Sequence, residues 1–322
     1  METQPLVSII TPCYNGELFL NRFFNSIINQ TYKNIELIFI DDGSTDNTSK
    51  IAQNYIDVFK KNSMDLTYVF QENSGQAAAM NKGLKMFNGE YLTWVDSDDV
   101  MLPENIEKKV NFLNSHKECD FVFCQAEEVL ENKLDKSINI VKRERKSDTD
   151  NLFIDYIYGK NVLYGPGSIL VRRDFLEMAI PSKTIYESRE GQNWQMMLPL
   201  SYLGKCGYID EILVKFVART DSHCRKERSL EELLNREDGF ISLAIETINK
   251  IPKMNDEEKQ EYSRLVKVLH LRRQLDLCSD YKNIKLARVY RKKLYQLGEK
   301  IGVFDFVIPK LIRAKYYIYK NK

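Results

Sequence analysis

The sequence predicts an α/β protein: a doubly wound, mostly parallel sheet with helices on both faces, followed by a helical C-terminal extension. Three observations lead there. Short apolar, β-branched runs alternate with helical periodicities over residues 1–125, three of those runs end in polar clusters, and from about Ser229 onward the pattern is helical throughout. Strands and helices in alternation, joined by short connections, build parallel sheets.

The strand candidates are Leu6–Thr11, Ile35–Ile40, Leu66–Phe70, Tyr91–Val95 and Phe121–Cys124. Between them, Leu18, Phe19, Phe23, Ile27 and Ile28 share one helical face, and Ile51, Tyr55, Ile56 and Phe59 share a second. Ala77, Met80, Leu84 and Phe87 form a third, and Ile106, Val110 and Leu113 a fourth. Residues 126–150 are charged and read as an exposed connection. GPGSILVRRDFL (165–176) leads into a short strand and a helix start. GQNWQMMLPLSYLG (191–204) reads as a helix kinked at Pro199, and CGYIDEILVKFV (206–217) as paired strands. The expected division is a domain over 1–225, with halves 1–125 and 126–225, and a helical region over 226–322.

Composition narrows the classes. With 43% apolar and 29% charged residues, the 322-residue chain has enough apolar side chain for a sizeable core. A net charge of +1 gives no whole-protein argument for nucleic acid as a partner. The six cysteines are scattered without a CxxC pair and read as reduced thiols of a cytoplasmic protein. No basic N-terminal region precedes a long apolar run, and no stretch is long and apolar enough for a transmembrane helix.

In parallel sheets, ligands bind beyond the carboxyl ends of the strands. Three polar strand ends therefore stand out: Pro12–Gly16, Asp41–Asp46 and Asp96–Asp99. The DSDD run at 96–99 suits a hard divalent cation, which prefers oxygen ligands shared with phosphate. Asp96 and Asp98 are two apart, so an extended segment would point both the same way. The competing reading is an Asp-rich turn that caps the next helix. In IDDGSTDNT (40–48), Gly43 permits a tight turn, and Ser44, Thr45 or Asp46 can cap a helix. The same carboxylates could accept hydrogen bonds from a base or ribose. In TPCYNG (11–16), Tyr14 could stack on a nucleobase and Asn15 bind its polar edge; a plain loop is the alternative.

Together these segments resemble the family 2 glycosyltransferases with the GT-A fold. VSIITPCYNGELFLNRFFNSIINQTYKNIELIFIDDGSTDNT (7–48), ENSGQAAAMNKGL (72–84), GEYLTWVDSDD (89–99) and LPENIE (102–107) carry the likeness, which fades after residue 125. The resemblance implies that Thr11, Pro12, Tyr14 and Asn15 lie along the nucleotide and that Asp41 and Asp42 bind base and ribose. It places Asn81 and Lys82 near the donor. It implies a DxD element of Asp96 and Asp98 holding Mn²⁺ or Mg²⁺, and inversion at the anomeric carbon by a single displacement. Such a displacement needs a general base. The family supplies it from a Glu-Asp pair at a helix start, where this sequence has Gln192 and Asn193. Glu190 is the substitute candidate, with Glu187 behind it. Trp194 reads as a packing residue or a sugar platform. His223 is a candidate metal ligand, and Arg219, Arg225 and Lys226 are candidate phosphate contacts; His116 and His270 have no supporting neighbours.

The expected function is transfer of a sugar, from a UDP-sugar by default, to a saccharide or lipid-linked acceptor in surface polysaccharide synthesis. The alternative is a nucleotide-sugar binder without turnover. A nucleotidyltransferase or dinucleotide-binding oxidoreductase on a similar sheet is disfavoured, because neither GxGxxG nor GxxxxGK[ST] is present. The basic, aromatic tail 303–322 reads as a last helix packed on the body. Its alternative is an interfacial helix in peripheral contact with the inner face of a membrane.

Overall fold

The computed structural model describes residues 4–143, 151–163, 165–219 and 228–300. The sites expected at His223, Arg225, Lys226 and the tail 303–322 lie outside the described residues. The chain divides into two compact units, Met1–His223 and Cys224–Lys322.

The first unit alternates strand and helix through its opening half: β1 (Val7–Cys13), α1 (Leu20–Ile28), β2 (Ile35–Asp42), α2 (Thr48–Lys61), β3 (Asp65–Gln71), α3 (Gln76–Leu84) and β4 (Tyr91–Trp94). Next come β5 (Val100–Met101), α4 (Asn105–Ser115), β6 (Phe121–Leu130), β7 (Lys133–Val141), α5 (Leu152–Tyr158), β8 (Ile169–Arg172), α6 (Arg173–Ala179), α7 (Gln192–Leu203) and β9 (Cys206–Ala218). The sheet runs in the order β3-β2-β1-β4-β8-β6-β9-β5, with β7 added to β6. β1, β2, β3 and β4 pair in parallel, while β8 inserts antiparallel between β4 and β6.

Physical reasons for this order are plain in the residues. β1 is buried along its whole length, as a central strand covered on both faces must be. β3, at the edge, alternates exposed and covered residues. α1 buries Leu20, Phe23, Phe24 and Ile27 on one stripe and leaves Arg22 and Asn25 outside it. The Phe24 ring packs between Phe39 of β2 and Tyr55 of α2, with centroids 5.2 and 4.8 Å away. At ~25 cal/mol per Å² of apolar surface removed from water, such a cluster is a principal source of stability.

Two expectations need correction. Residues 126–141 are not an exposed connection but the end of β6 and the hairpin partner β7. The charges sit on β7, an edge strand whose face is largely solvated, so polarity there did not exclude a strand. CGYIDEILVKFV is one long strand, not a strand pair. β9 stays parallel to β6 through a bulge that steps the register from Ile209 to Ile212.

The second unit contains α8 (Leu230–Lys250), α9 (Asp256–Asp280) and α10 (Ile284–Gln296). Ser229 with Glu232, and Asn255 with Glu258, form capping boxes that start α8 and α9. Leu234, Leu271, Leu275, Ala287, Tyr290 and Leu294 supply its core. His270 is buried here, its Nδ1 2.5 Å from Glu237 Oε2 and its ring stacked 5.8 Å from Phe240. It has supporting neighbours after all, and they are structural ones.

Candidate active site

The chain lays β2 and β3 on one side of β1 and returns to place β4 on the other. A crevice opens at such a reversal. Register sets Cys13 beside Asp41, and the Val95 N–H donates to the Ile10 carbonyl at 3.1 Å. The three polar strand ends read from the sequence are therefore neighbouring tips.

The first two tips are laced together. Asn15 takes a positive φ of 53°, which asparagine tolerates. Its N–H donates to Ser44 Oγ at 2.9 Å, and its side-chain oxygen accepts the Thr45 N–H at 2.9 Å. The Gly16 N–H reaches Thr48 Oγ1 at 2.7 Å. A Cβ on Gly16 would lie 2.5 Å from Cys13 Sγ, so only glycine admits this approach. Tyr14 stands out from the lacing, 49% exposed, with its ring open to a ligand. Thr11 and Pro12 are enclosed by protein. Burial pushes the Cys13 thiol up to about 12, with Asp41, Asp46 and Asp98 adding to the rise, so it stays protonated and unreactive.

Asp41 and Asp42 are buried and fully engaged. Asp41 accepts the Ser44 N–H and the Tyr68 hydroxyl, both at 2.8 Å. Asp42 accepts the Gln71 amide at 2.7 Å and the Ser74 and Gly75 N–H groups at 2.9 Å. It thereby shapes the loop that opens α3. A carboxylate has about four lone-pair sites, so any contact with base or ribose shares oxygens already in use.

The third tip is a turn. The Asp99 N–H closes on the Asp96 carbonyl at 3.1 Å, so the extended arrangement expected for Asp96 and Asp98 is not what forms. Gln76 of α3 donates to Asp96 at 2.8 Å. Arg22 of α1 donates to the Asp98 carbonyl at 2.8 Å, and Arg219 Nε lies 3.6 Å from the Asp98 carboxylate. Asp99 points inward and accepts the Val217 N–H of β9 at 2.9 Å.

Burial first, then the charge of Asp98, lifts Asp96 to about 7, while the Gln76 bond pulls the other way. Burial also raises Asp98 against the opposing pull of Arg219 and Arg22. Asp99 is held well above the carboxylate range by burial and by both neighbours. Three acids this close resist ionising together without a cation. Among the described residues, no group of three His, Cys, Asp or Glu side chains forms a ready-made metal cage. Asp96 and Asp98 are the residues that could hold Mg²⁺ or Mn²⁺, ions that would take further oxygens from phosphate and water.

Against α3 lies the segment before α7. Asn81 of α3 holds it: its amide donates to the Ile185 carbonyl at 3.0 Å and accepts the Ile185 N–H at 2.7 Å. Asn81 also reaches Glu187 Oε1 at 3.4 Å. A Cβ on Gly75 would touch the Arg189 stem at 3.8 Å, which sets this segment beside the start of α3. Glu190 is partly exposed and its N–H donates to Ser188 Oγ at 3.2 Å. Asn193, in the first turn of α7, accepts the Trp94 indole N–H at 2.8 Å. Trp194 is buried and donates to the Tyr156 carbonyl at 3.0 Å, so it packs and offers no sugar platform.

The model of the family described as glycosyl transferase family 2 matches residues 8–177. The chain belongs to glycosyl transferase family 2. An uncharacterized glycosyltransferase, RT0329, of Rickettsia typhi is 31% identical over 213 residues, 66% of this chain and 63% of the relative. A putative teichuronic acid biosynthesis glycosyltransferase, TuaG, of Bacillus subtilis is 37% identical over 120 residues, 37% of this chain and 46% of the relative. The chain thus spans less than two thirds of these relatives' length. Among solved structures, residues 1–349 of S. aureus TarS in complex with UDP-GlcNAc superpose with a TM-score of 0.62 at 18% identity, covering 86% of this chain and 80% of that one. That likeness establishes the GT-A fold.

Within this family 2 chain, the structure gathers Tyr14, Asn15, Asp41, Asp42, Asp96 and Asp98 at adjacent tips and sets Asn81 and Glu187 together at α3, with Glu190 in the same loop as Glu187. Lys82 instead donates to the Phe70 carbonyl at 3.1 Å, on the flank of α3. Sequence reasoning passed over Arg22, Gln76 and Trp94. No local pattern marks them, because each acts on a partner 20 to 99 positions away.

Proposed function

We propose that the chain is an inverting glycosyltransferase. It moves a sugar from a nucleotide sugar, UDP-linked in our reading, to a saccharide or lipid-linked acceptor in surface polysaccharide synthesis. One observation carries this: Tyr14, the Asp41–Asp42 pair and the Asp96–Asp99 turn stand at neighbouring strand tips. Tyr14 would stack on the base, and Asp41 and Asp42 would hold base and ribose. Asp96 and Asp98 would hold Mn²⁺ or Mg²⁺, which supplies charge neutralisation for the departing diphosphate. An acceptor hydroxyl attacks the anomeric carbon, the bond to the diphosphate breaks, and the hydroxyl proton passes to Glu190. The UDP-GlcNAc bound to TarS and the teichuronic acid assignment of TuaG support the donor and pathway class. The five described cysteines are free, and among the described residues no helix is long and apolar enough to cross a membrane. We read the chain as cytoplasmic.

The presence of Gln192 and Asn193 in place of an acidic pair favours a second reading, a nucleotide-sugar binder without turnover. UDP release from a panel of UDP-sugars, with and without Mn²⁺, separates the two. Transfer predicts metal-dependent release that Asp98→Ala abolishes. Nucleotide binding with no release for any donor and acceptor would establish the second reading.

A further inference from the structure

Charge is divided unevenly along this chain. Eleven of its 47 Lys and Arg, but only two of its 46 Asp and Glu, lie from Ile284 to Lys322. That segment carries +9, and the preceding residues carry −8. Within it, α10 holds Lys285, Arg288, Arg291, Lys292 and Lys293 and no acid. Its inner stripe, Ala287, Tyr290 and Leu294, packs into the core of the second unit. Everything cationic is on the remaining arc.

Two further features bear on this arc. First, the one acid among residues 284–300, Glu299, is already paired, with Arg264 at 3.0 Å and Arg272 at 2.5 Å. Among the described residues, Lys285, Arg288 and Lys292 make no ion pair. Second, large apolar side chains stand among the cations, with Ile284 54%, Val289 45% and Tyr295 47% exposed.

We infer that the outer face of α10 docks on an anionic phospholipid surface. The chemistry favours lipid over a polyanionic strand. The face belongs to a single helix and mixes cations with apolar side chains. Long Lys and Arg stems can lie along the acyl boundary with their charges at the headgroups. Ile284, Val289 and Tyr295 can enter the interfacial layer, where tyrosine is favoured. Each cation near such a surface strengthens binding about fivefold. This inference is independent of the donor chemistry proposed above.

The test is co-sedimentation of the full chain with vesicles of phosphatidylcholine alone, or of phosphatidylcholine mixed with phosphatidylglycerol. We expect binding to the mixed vesicles only, weakening as salt is raised. The triple variant Lys285→Gln, Arg288→Gln, Lys292→Gln should bind about a hundredfold more weakly. A control triple variant in α2, Lys50→Gln, Lys60→Gln, Lys61→Gln, should bind as the parent does. Equal melting temperatures confirm that the variants fold. Parental UDP release by the α10 variant separates this result from any failure of the catalytic reading. The inference is overturned if the parent ignores anionic vesicles, if both vesicle types bind alike, or if the α10 variant binds undiminished. It is also overturned if heparin or duplex DNA binds the parent more tightly than the vesicles do.

Discussion

The indole N–H of Trp94, at the end of β4, donates to the side-chain oxygen of Asn193, in the first turn of α7, at 2.8 Å. Trp94 lies two residues before Asp96, and Asn193 occupies the position where the family carries its acidic pair. The bond therefore ties the tip proposed to hold the metal to the segment proposed to face the acceptor. Trp94 is buried, so its donor needs a partner. Asn193→Leu should cost about 1–3 kcal/mol by leaving that donor unpaired. Asn193→Asp, which keeps an acceptor, should unfold near the parental midpoint. Denaturant titration of both variants measures this, and equal loss in both would contradict it.

With an amide at 193, the proton acceptor must come from elsewhere, and Glu190 is the carboxylate nearest in sequence. Glu190→Gln should lower kcat about 10²–10⁴-fold, the usual contribution of a general base. KM for the donor should change little, because the role proposed for the residue is toward the acceptor hydroxyl rather than the nucleotide. Steady-state kinetics with a saccharide acceptor decides it. A variant with parental kcat would remove Glu190 from the chemistry.

Asp42 connects the second tip to the loop that opens α3 through three hydrogen bonds, two of them from backbone N–H groups. Asp42→Ala leaves the Ser74 and Gly75 donors without that partner. We expect a loss of about 2–4 kcal/mol, since bonds to a charged acceptor are worth more than neutral ones. We also expect weaker UDP binding by calorimetry, because Gln76 and Asp96 lie just beyond that loop. Unchanged UDP affinity in a folded variant would show that the loop does not position the donor site.

How much of this was legible in the sequence follows from what is local. Strand–helix alternation and the three polar strand ends depend on neighbouring residues, and they read correctly. At 96–99 the sequence offers both an extended pair and an Asp-rich turn; the turn forms, and its contacts to Val217 and Arg22 are distant in sequence and not legible there. The β6–β7 hairpin was missed because an edge strand can be polar on its open face. Asp41 and Asp42 read as ligand groups, and their bracing role emerged only with Tyr68 and Gln71 alongside them in the sheet. Trp94 looked like another apolar strand residue, since its partner is 99 positions away.

Asp96 gives a pH signature. Its folded value is about 7, against 3.8 for a free carboxyl. The native state then holds this proton more tightly than the unfolded chain does. The contribution of Asp96 to metal-free stability is therefore greatest below about pH 4 and falls as pH rises towards 7. Divalent cations require the ionised form, so the rise in melting temperature on adding Mn²⁺ should grow across the same window. Subtracting the Asp96→Asn profile from the parental one isolates the effect in calorimetry. A flat difference between pH 4 and 7 would contradict the assignment.

Lys109 provides the opposite sign. Its Nζ is buried, donating to the Gly167 carbonyl at 2.6 Å and the Ile169 carbonyl at 3.3 Å, with Asn105 anchoring the same region at the Leu213 carbonyl. Burial lowers it to about 8 from 10.5, against a weak opposing pull from Cys124. The native state releases this proton before the unfolded chain does. The charged amine thus carries its burial penalty in full below pH 8, and stability gained through Lys109 rises between pH 8 and 10.5. Lys109→Met removes both the penalty and the two bonds, so its stability relative to the parent should decline over that interval. Urea unfolding of both chains at several pH values tests this. A relative stability that stays constant would show that the amine titrates at its ordinary value, and the bonds to β8 and the loop before it would then be holding a fully charged group.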